Sequence, residues 1–502
     1  MSRQWRDIDI RSAAILISLL LSAWHILVNP VPNTDAFDYV RTAHIYLDQG
    51  VAAAFQWYPS STFPVMMGFL SQLTGIDLIL AGQLINALLF AVLVYAFITL
   101  LLEVRNTPRV ALIAAVVILA FPTLNEYRYY LIRDFGFLAL MLLGTIQLTR
   151  YSKHYGNWNG FGFIAWTLLA ALFRAEALAY LPLAPLALLS LGANSWGYNV
   201  RALLKLEATL LVLTLFTVAV LTLFDADVLG ALQRIVAVYM PFLIDSVEAL
   251  SADNSPLGVA IFGEYAANFS GKYLWAFMLA GMSTLLLIKL IAGFGAPILI
   301  LFLYGYKQAS IELRDPKLRV TLAYMIIAFG ILLVFLALTR FIVTRYTLLF
   351  CLTTLPLLVL AIDNFIEPLQ RSPRRKLLQG LLGALVLFSV VDAHISFGDS
   401  DRSLDEAVQW LNENSAQGDS VFTNSNYVAY FSGLVEDYDL INRYISTEDI
   451  NNTSYGTIVV LTTSRSINAE IEKSVEFQRI ELLAAFPAQD EPDIVIYRRL
   501  GN

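Results

Sequence analysis

The chain has 502 residues, of which 58% are hydrophobic and only 15% are charged. Soluble domains are about 45–50% apolar and about 25% charged, so this composition excludes an ordinary soluble protein and a disordered one. A single cysteine, Cys351, excludes a disulfide framework, and a net charge of −7 argues against nucleic-acid binding. The composition predicts an integral membrane protein with one soluble part.

Apolar segments long enough to cross a bilayer, which takes roughly 20 residues, recur from the N-terminus to residue 391. Segment 273–306 is ambiguous, because Lys289 and a break at 293–297 interrupt it, and it forms either one net crossing or a hairpin. The clear segments are 12–28, 76–102, 110–121, 135–148, 161–173, 175–191, 203–224, 320–338, 347–362 and 377–391. With one net crossing at 273–306, we expect a polytopic α-helical protein with 11 transmembrane helices.

The basic residues orient these helices, because loops on the cytoplasmic side are enriched in Lys and Arg. With the N-terminus inside, the inner segments hold 17 basic residues and the outer ones hold eight. A hairpin at 273–306 would put the basic 307–319 loop outside, which disfavours it. This orientation predicts a membrane body over 1–392 with outer-face loops 30–63 and 225–272. It places the C-terminal part outside, as in a bacterial inner-membrane protein with a periplasmic domain.

The first outer loop carries the most informative stretch. We expect a helix that opens at Asp35, runs to about Gln49 and stops at Gly50. Its apolar face is formed by Phe37, Val40, His44 and Leu47. Two interpretations of Asp35 stay open together: a helix N-cap, or a functional carboxylate at the membrane boundary.

Further polar residues fall on the predicted outer face at the ends of separate spans. Each has a simple explanation, since an arginine at a membrane surface often snorkels and neighbouring Arg and Asp residues pair. Several arginines on the same predicted face as Asp35 nevertheless indicate a basic cavity that suits a phosphate group. These outer residues are Glu126, Arg128, Arg133, Asp134, Arg174, Glu176, Arg340 and Arg345.

Residues 393–502 are predicted to form a separate, acidic domain. They contain seven basic and 18 acidic residues, a net charge of −11. An amphipathic helix at 404–414 and strands at 420–423, 457–463 and 493–498 indicate a small α/β domain. We interpret it as a docking or acceptor-binding domain.

Several short motifs, in this order and topology, resemble the C-type glycosyltransferase superfamily over about residues 1–365. Its branches of protein O-mannosyltransferases and bacterial aminoarabinose-transferase-like proteins are the nearest. The carrying residues are Asp35-Ala-Phe-Asp38-Tyr39, Tyr58-Pro59, Phe63-Pro64, Arg133-Asp134, Leu172-Phe-Arg174-Ala-Glu176-Ala177 and Arg345-Tyr346.

The resemblance implies inverting transfer of one sugar from a polyprenyl-phosphate donor to a hydroxyl of a glycan, lipid or protein acceptor. It implies Asp35 as the general base and Arg345, Arg133 and Arg174 as ligands of the donor phosphate. The supporting residues are Asp38, Tyr39, Glu126, Arg128, Asp134, Glu176, Arg340 and Tyr346. No cofactor is assigned. Many members carry Asp-Glu in the first loop, but position 36 is Ala here, so a divalent metal stays an open question that no paired carboxylate supports.

Two alternatives remain. A polysaccharide polymerase would use a diphosphate-linked oligosaccharide and make extended products. A transporter or flippase for lipid-linked sugars would place its site at broken helices near the bilayer midplane, and we find no matched pair of interrupted segments in the sequence.

Overall fold

The computed structural model describes residues 9–28, 31–190, 195–223, 256–313, 315–371, 373–395, 402–416, 418–476, 479–487 and 492–501, with a few single positions between 230 and 244. Position 30 and most of 225–255, within the two predicted outer loops, lie outside the described residues.

The helices of the membrane part are α1 Ile10–Val28, α2 Asp35–Gln49, α3 Val51–Trp57, α4 Thr62–Thr74, α5 Leu78–Val104, α6 Pro108–Leu119, α7 Pro122–Glu126, α8 Asp134–His154, α9 Asn157–Ala171, α10 Tyr180–Leu183, α11 Trp196–Leu223, α12 Pro256–Ser270, α13 Leu274–Phe294, α14 Ala296–Glu312, α15 Arg319–Thr339, α16 Leu348–Arg371 and α17 Arg375–His394. The C-terminal elements are α18 Arg402–Asn414, β1 Val421–Thr423, α19 Asn426–Ser432, α20 Thr447–Asn451, β2 Ile458–Thr462, α21 Arg465–Glu476, β3 Ile480–Phe486 and β4 Ile494–Arg499.

The chain divides into two compact units. The helical unit comprises Met1–His25, Asn86–Arg128 and Arg133–Ile395. The mixed unit comprises Ile26–Ile85, Tyr129–Ile132 and Ser396–Asn502, and so combines the first predicted outer loop with the acidic tail.

The described residues contain seven helices long and apolar enough to span a membrane, or eight if the bent pair Pro108–Leu119 and Pro122–Tyr129 counts as one span. The chain is thus a polytopic helical membrane protein, and the count of 11 spans is not confirmed. Three predicted spans are not among these helices. Segment 135–148 lies in the less apolar α8, 161–173 lies in the 15-residue α9, and 175–191 is broken into short helical pieces.

The tail contains a four-stranded sheet in the order β1-β2-β4-β3. β1 and β2 are parallel, and β4 pairs antiparallel with both β2 and β3. The predicted helix at 404–414 and the strands at 420–423, 457–463 and 493–498 correspond to α18, β1, β2 and β4, so these elements are confirmed.

Both faces of this sheet are covered, which explains why β2 is apolar throughout rather than alternating. Side chains of a strand point alternately to opposite faces. Val459 and Leu461 pack with α21, whereas Ile458 and Val460 pack with α18 and α19. The strand is therefore buried on both sides.

A bend of 54° separates α6 from α7 in the helical unit. Pro122 has no N–H to donate to the carbonyl of residue 118, and an unpaired carbonyl in a membrane costs several kcal/mol. Side chains supply the missing donors at the carbonyls of residues 118 to 120, and one of them adds a second donor at the Phe121 carbonyl, which also accepts the backbone N–H of Asn125 at 3.1 Å. Asn125 donates to Ile118 (3.2 Å) and Phe121 (2.8 Å), Ser389 donates to Ala120 (2.6 Å), and His394 bonds to Leu119 (2.8 Å).

The same network fixes the first helix. The buried face of α1 carries the polar residues Ser18, Ser22 and His25, whereas Leu16, Leu20 and Leu27 are exposed, as expected for a helix that faces lipid. The guanidinium of Arg128 donates to both serines and to the Asn125 amide oxygen and lies 3.6 Å from the centroid of the Phe90 ring. Arg128 therefore acts as a structural cation of this unit.

Two histidines extend this network, and their hydrogen bonds define their tautomers. His394 bonds through Nε2 to a carbonyl, which only accepts, so Nε2 carries the proton. In the neutral pair, Nδ1 of His394 then accepts from Nε2 of His25 at 3.0 Å. The end of α17 is thereby tied to α1.

A second interruption separates α13 from α14 at Gly295, where φ is +72°. The two interruptions meet, because Thr123 in α7 donates to the carbonyl of Ala292 at 3.1 Å. The sequence did not indicate this meeting of interrupted helices.

We predict that Asn125→Leu lowers the stability of the protein by about 3 kcal/mol or more. It leaves the carbonyl of Ile118 without a donor and removes two hydrogen bonds of Arg128, which keeps its bonds to Ser18 and Ser22. Each of these losses costs about 1–3 kcal/mol. Ser389→Ala removes one bond and should cost about 1 kcal/mol. Thermal unfolding of the purified variants in detergent measures both effects, and equal losses in the two variants would contradict the prediction.

Candidate active site

Helix α2 presents the candidate base of the mixed unit. It begins at Asp35 and ends at Gln49, and Gly50 follows with φ of +86°, as the sequence predicts. Thr34, not Asp35, occupies the N-cap position, and its side chain makes no capping hydrogen bond. Asp35 is a half-buried residue of the first turn, where the helix dipole favours a negative charge.

One face of α2 is packed and another is open. Phe37 and Val40 are buried as predicted, but His44 is exposed and is wrongly assigned to the apolar face. Gly68 in α4 permits the close approach of the two helices, because a Cβ there would lie 2.5 Å from the Tyr46 ring. The exposed face carries Asp38.

An aromatic cluster fixes the start of α2. Tyr39 is buried, and its ring centroid lies 5.5 Å from that of Phe63 and 6.1 Å from that of Tyr58. These residues come from separate motifs of the first loop, and the fold brings them together. Tyr39 therefore fixes the start of α2 by packing.

Arg41 connects α2 to the acidic tail within the same unit. Its guanidinium donates to Asp439 at 2.9 Å and to the carbonyl of Glu436, and it lies 4.4 Å from the centroid of the Tyr438 ring. Asp439 is almost fully buried, so this ion pair is screened less than a surface pair. Sequence reasoning missed Arg41 as an anchor, although the acidic run 436–439 was a signal for a basic partner.

The carboxyl of Asp38 has a pKa raised to about 6. Desolvation by surrounding protein atoms is the largest cause, even though part of the side chain is exposed, and the charges of Asp35 and Asp439 add to it. Arg443 opposes the shift. Asp38 is thus ionised at neutral pH and protonated under mildly acidic conditions.

The helical unit holds a second cluster, formed by sequence-predicted residues from three separate segments. Arg174 forms ion pairs with Asp134 at the start of α8 and with Glu176, which lies 2.5 Å away. The Arg174 guanidinium lies 4.6 Å from the centroid of the Tyr346 ring, and that of Arg345 lies 5.6 Å from the same centroid. We refer to these five residues as the arginine–tyrosine cluster.

The segment that carries Arg345 and Tyr346 is a short 3-10 helix, Thr344–Thr347. Gly293 in α13 lies against it, since a Cβ at this glycine would lie 2.2 Å from the hydroxyl oxygen of Thr347. Cys351, one helical turn after Thr347, is fully buried. Helix α13 therefore packs closely against one side of the 3-10 helix that carries Arg345 and Tyr346.

The remaining predicted residues differ in their surroundings. Arg133 occupies the N-cap position of α8 beside Asp134 and is half-buried. Arg340 ends α15 with φ of +60°, and it is exposed, as is Glu126. Among the described residues, no three His, Cys, Asp or Glu side chains are grouped so that they could hold a metal ion.

A scan against protein-family models finds no match, and no curated protein matches the sequence. The chain is similar to a crystal structure of the Archaeoglobus fulgidus oligosaccharyltransferase tethered by a disulfide bond to an acceptor peptide with an NVT sequon. Identity is 11% and the TM-score is 0.45, over 91% of this chain and 70% of the other. A likeness this distant carries no argument about the family or the activity of this chain.

We predict that Asp38→Asn stabilises the protein at pH 7 to 8 and has no effect near pH 4. Because the folded state raises the pKa of Asp38 to about 6, the native protein binds more protons than the unfolded one between about pH 4 and 6. Ionisation of Asp38 therefore lowers stability as the pH rises through this window. Thermal unfolding as a function of pH measures the effect, with Asp48→Asn as the control on the same helix, and an equal shift at all pH values would contradict it.

Proposed function

We propose that the protein is an inverting glycosyltransferase that moves one sugar from a polyprenyl-phosphate carrier to an acceptor hydroxyl on the outer face of the membrane. The acceptor is a glycan, a lipid or a protein. In this proposal the protein lies in a bacterial inner membrane and its acidic domain, residues 393–502, is periplasmic.

The observation that carries the proposal is the arginine–tyrosine cluster. Its five residues come from three segments that are far apart in the chain, and a separate sequence motif selected each segment. The residues are Asp134, Arg174, Glu176, Arg345 and Tyr346. In the helical unit Arg174 pairs with both carboxylates, and the guanidinium groups of Arg174 and Arg345 lie 4.6 and 5.6 Å from the centroid of the Tyr346 ring. The arrangement thus holds two guanidinium groups near one ring, together with two carboxylates.

The two arginines are expected to play different parts in binding the donor phosphate. Arg174 is held by two carboxylates, so much of its charge is already balanced, and it positions the Tyr346 ring. Arg345 extends from the 3-10 turn beside that ring and is the first candidate to bind the phosphate. Arg133 at the start of α8 is the next.

The chemistry suits such cations. When the bond between the sugar and the phosphate oxygen breaks, negative charge builds on the phosphate, which is a weak base and leaves without a general acid. Guanidinium groups stabilise that charge, and they bind phosphate oxygens in pairs. The polyprenyl chain is expected to lie against apolar helices, where burial contributes about 0.8 kcal/mol per CH₂.

Asp35 is proposed to take the proton of the acceptor hydroxyl as that oxygen attacks the anomeric carbon. A single displacement of this kind inverts the configuration. The packing of α2 through Tyr39 and Arg41 supports this role, because a general base needs a fixed position within about 3 Å of the proton.

We predict that Asp35→Asn lowers the turnover about 10²–10⁴-fold without loss of folding or membrane insertion, because it removes the general base. The assay follows the loss of radiolabelled sugar from a panel of polyprenyl-phosphate monosaccharides and the appearance of product. Asp48→Asn, in the last turn of the same helix, is the matched control and should keep full activity.

Near-normal turnover in Asp35→Asn would remove Asp35 from the mechanism. If the wild-type protein extends a glycan repeatedly, the polymerase alternative is correct. Translocation of the labelled lipid across proteoliposomes without any sugar transfer would instead identify a transporter.

We predict that Arg345→Ala raises the KM for the donor at least tenfold and changes the KM for the acceptor little, since the lost contact is to the phosphate. Arg345→Lys should recover only part of the loss, because an ammonium group cannot bind two phosphate oxygens in the fixed geometry of a guanidinium. Steady-state kinetics with each substrate varied in turn measures both constants. Equal changes in both would rule out a phosphate contact.

A further inference from the structure

A polar cavity of about 510 Å³ lies in the helical unit. None of its lining residues belongs to the arginine–tyrosine cluster, and the sequence predicts the two sets on opposite sides of the membrane. The cavity forms where several helices end or begin. Its walls come from the start of α1, the end of α5, the last turns of α8 and the 3-10 helix Pro316–Leu318, which precedes α15. The lining residues are Arg11, Thr99, Leu102, Glu103, Val104, Asn106, Arg150, Lys153 and Lys317.

The lining is strongly basic. Four cations, Arg11, Arg150, Lys153 and Lys317, face a single carboxylate, that of Glu103. Glu103 accepts from Arg150 at 2.8 Å and from Lys153 at 2.7 Å, so it gathers two of the cations at one wall. Even with Asp9, which pairs with Arg11 at 3.2 Å, the basic residues outnumber the acids by two.

The position of the cavity restricts its occupant. Apolar spans end at its walls, and Leu102 and Val104 line it beside the charged groups. Charged groups at the ends of spanning helices lie at the depth of the lipid headgroups. The segments that supply the cations are also the ones that the sequence predicts on the cytoplasmic side, where anionic lipids attract basic clusters.

We propose that this cavity binds the phosphate of an anionic phospholipid headgroup on the cytoplasmic side of the membrane. Its volume is in the range of small-ligand sites, which is about 300–1,000 Å³. Arg150 and Lys153, held by Glu103, form one wall for the phosphate oxygens, and Lys317 and Arg11 add positive charge from separate elements. The site does not depend on the proposed transferase activity, and it is separate from the donor phosphate site.

The test uses the purified full-length protein in an uncharged detergent and measures thermal stabilisation during titration with soluble dihexanoyl-phosphatidylglycerol. Dihexanoyl-phosphatidylcholine has the same chains and a phosphate but no net charge, and it should stabilise little. Inorganic phosphate alone distinguishes a free anion from a lipid and should also stabilise less at equal concentration.

Lys317→Gln should raise the apparent Kd for phosphatidylglycerol about fivefold, the effect expected for one basic residue near an anionic headgroup, and Lys317→Arg should restore binding. Lys376→Gln, an exposed basic residue on the same predicted face and outside the cavity, should change the Kd less than twofold.

Three results would overturn the proposal. They are equal stabilisation by phosphatidylcholine, stabilisation by inorganic phosphate that matches that of phosphatidylglycerol, and a loss in Lys376→Gln as large as in Lys317→Gln. The last would mean that the binding is to general surface charge and not to the cavity.

Discussion

The helical unit depends on one constraint: backbone carbonyls inside a membrane must find hydrogen-bond donors within the protein. The bend at 118–121 meets it with Asn125, Ser389 and His394, which come from the next helix and from the end of the membrane part. Since the oxygen of Asn125 also receives Arg128, the bend, the first helix and α17 share one set of polar contacts. Local backbone chemistry thus decides which helices are neighbours.

The arginines differ in function, and their hydrogen-bond partners show how. Arg128 donates hydrogen bonds to serine and asparagine oxygens in the interior of the helical unit, and Arg41 donates hydrogen bonds to an acidic segment of the tail. Arg174 differs from both, because it pairs with two carboxylates and also lies against an aromatic ring. Arg345 shares that ring from a short turn, which is a suitable place for a group that must meet a charged substrate.

The sequence predicted elements whose signal is local. The start and stop signals of α2, the amphipathic pattern of α18 and the apolar runs of β2 and β4 were sufficient to find them, with bounds that differ by two residues or fewer. By contrast, 426–432 is rich in strand-forming residues and is nevertheless a helix, because Ser425 caps it and Gly433 ends it. A register shift between Leu482 and Ala484 in β3 removes regular alternation. The partners of Arg174 and Arg41 depend on tertiary packing, which no short pattern encodes.

The pairing of Arg41 with Asp439 joins residues that are 398 positions apart. Ribosomes add about 5–20 residues per second, so roughly 20–80 seconds pass between the synthesis of the arginine and that of its acid. During this interval the helix that carries Asp35 is already made, but one of its anchors does not yet exist. The amino-terminal loop therefore completes its packing only near the end of translation, after most of the membrane segments have been synthesised.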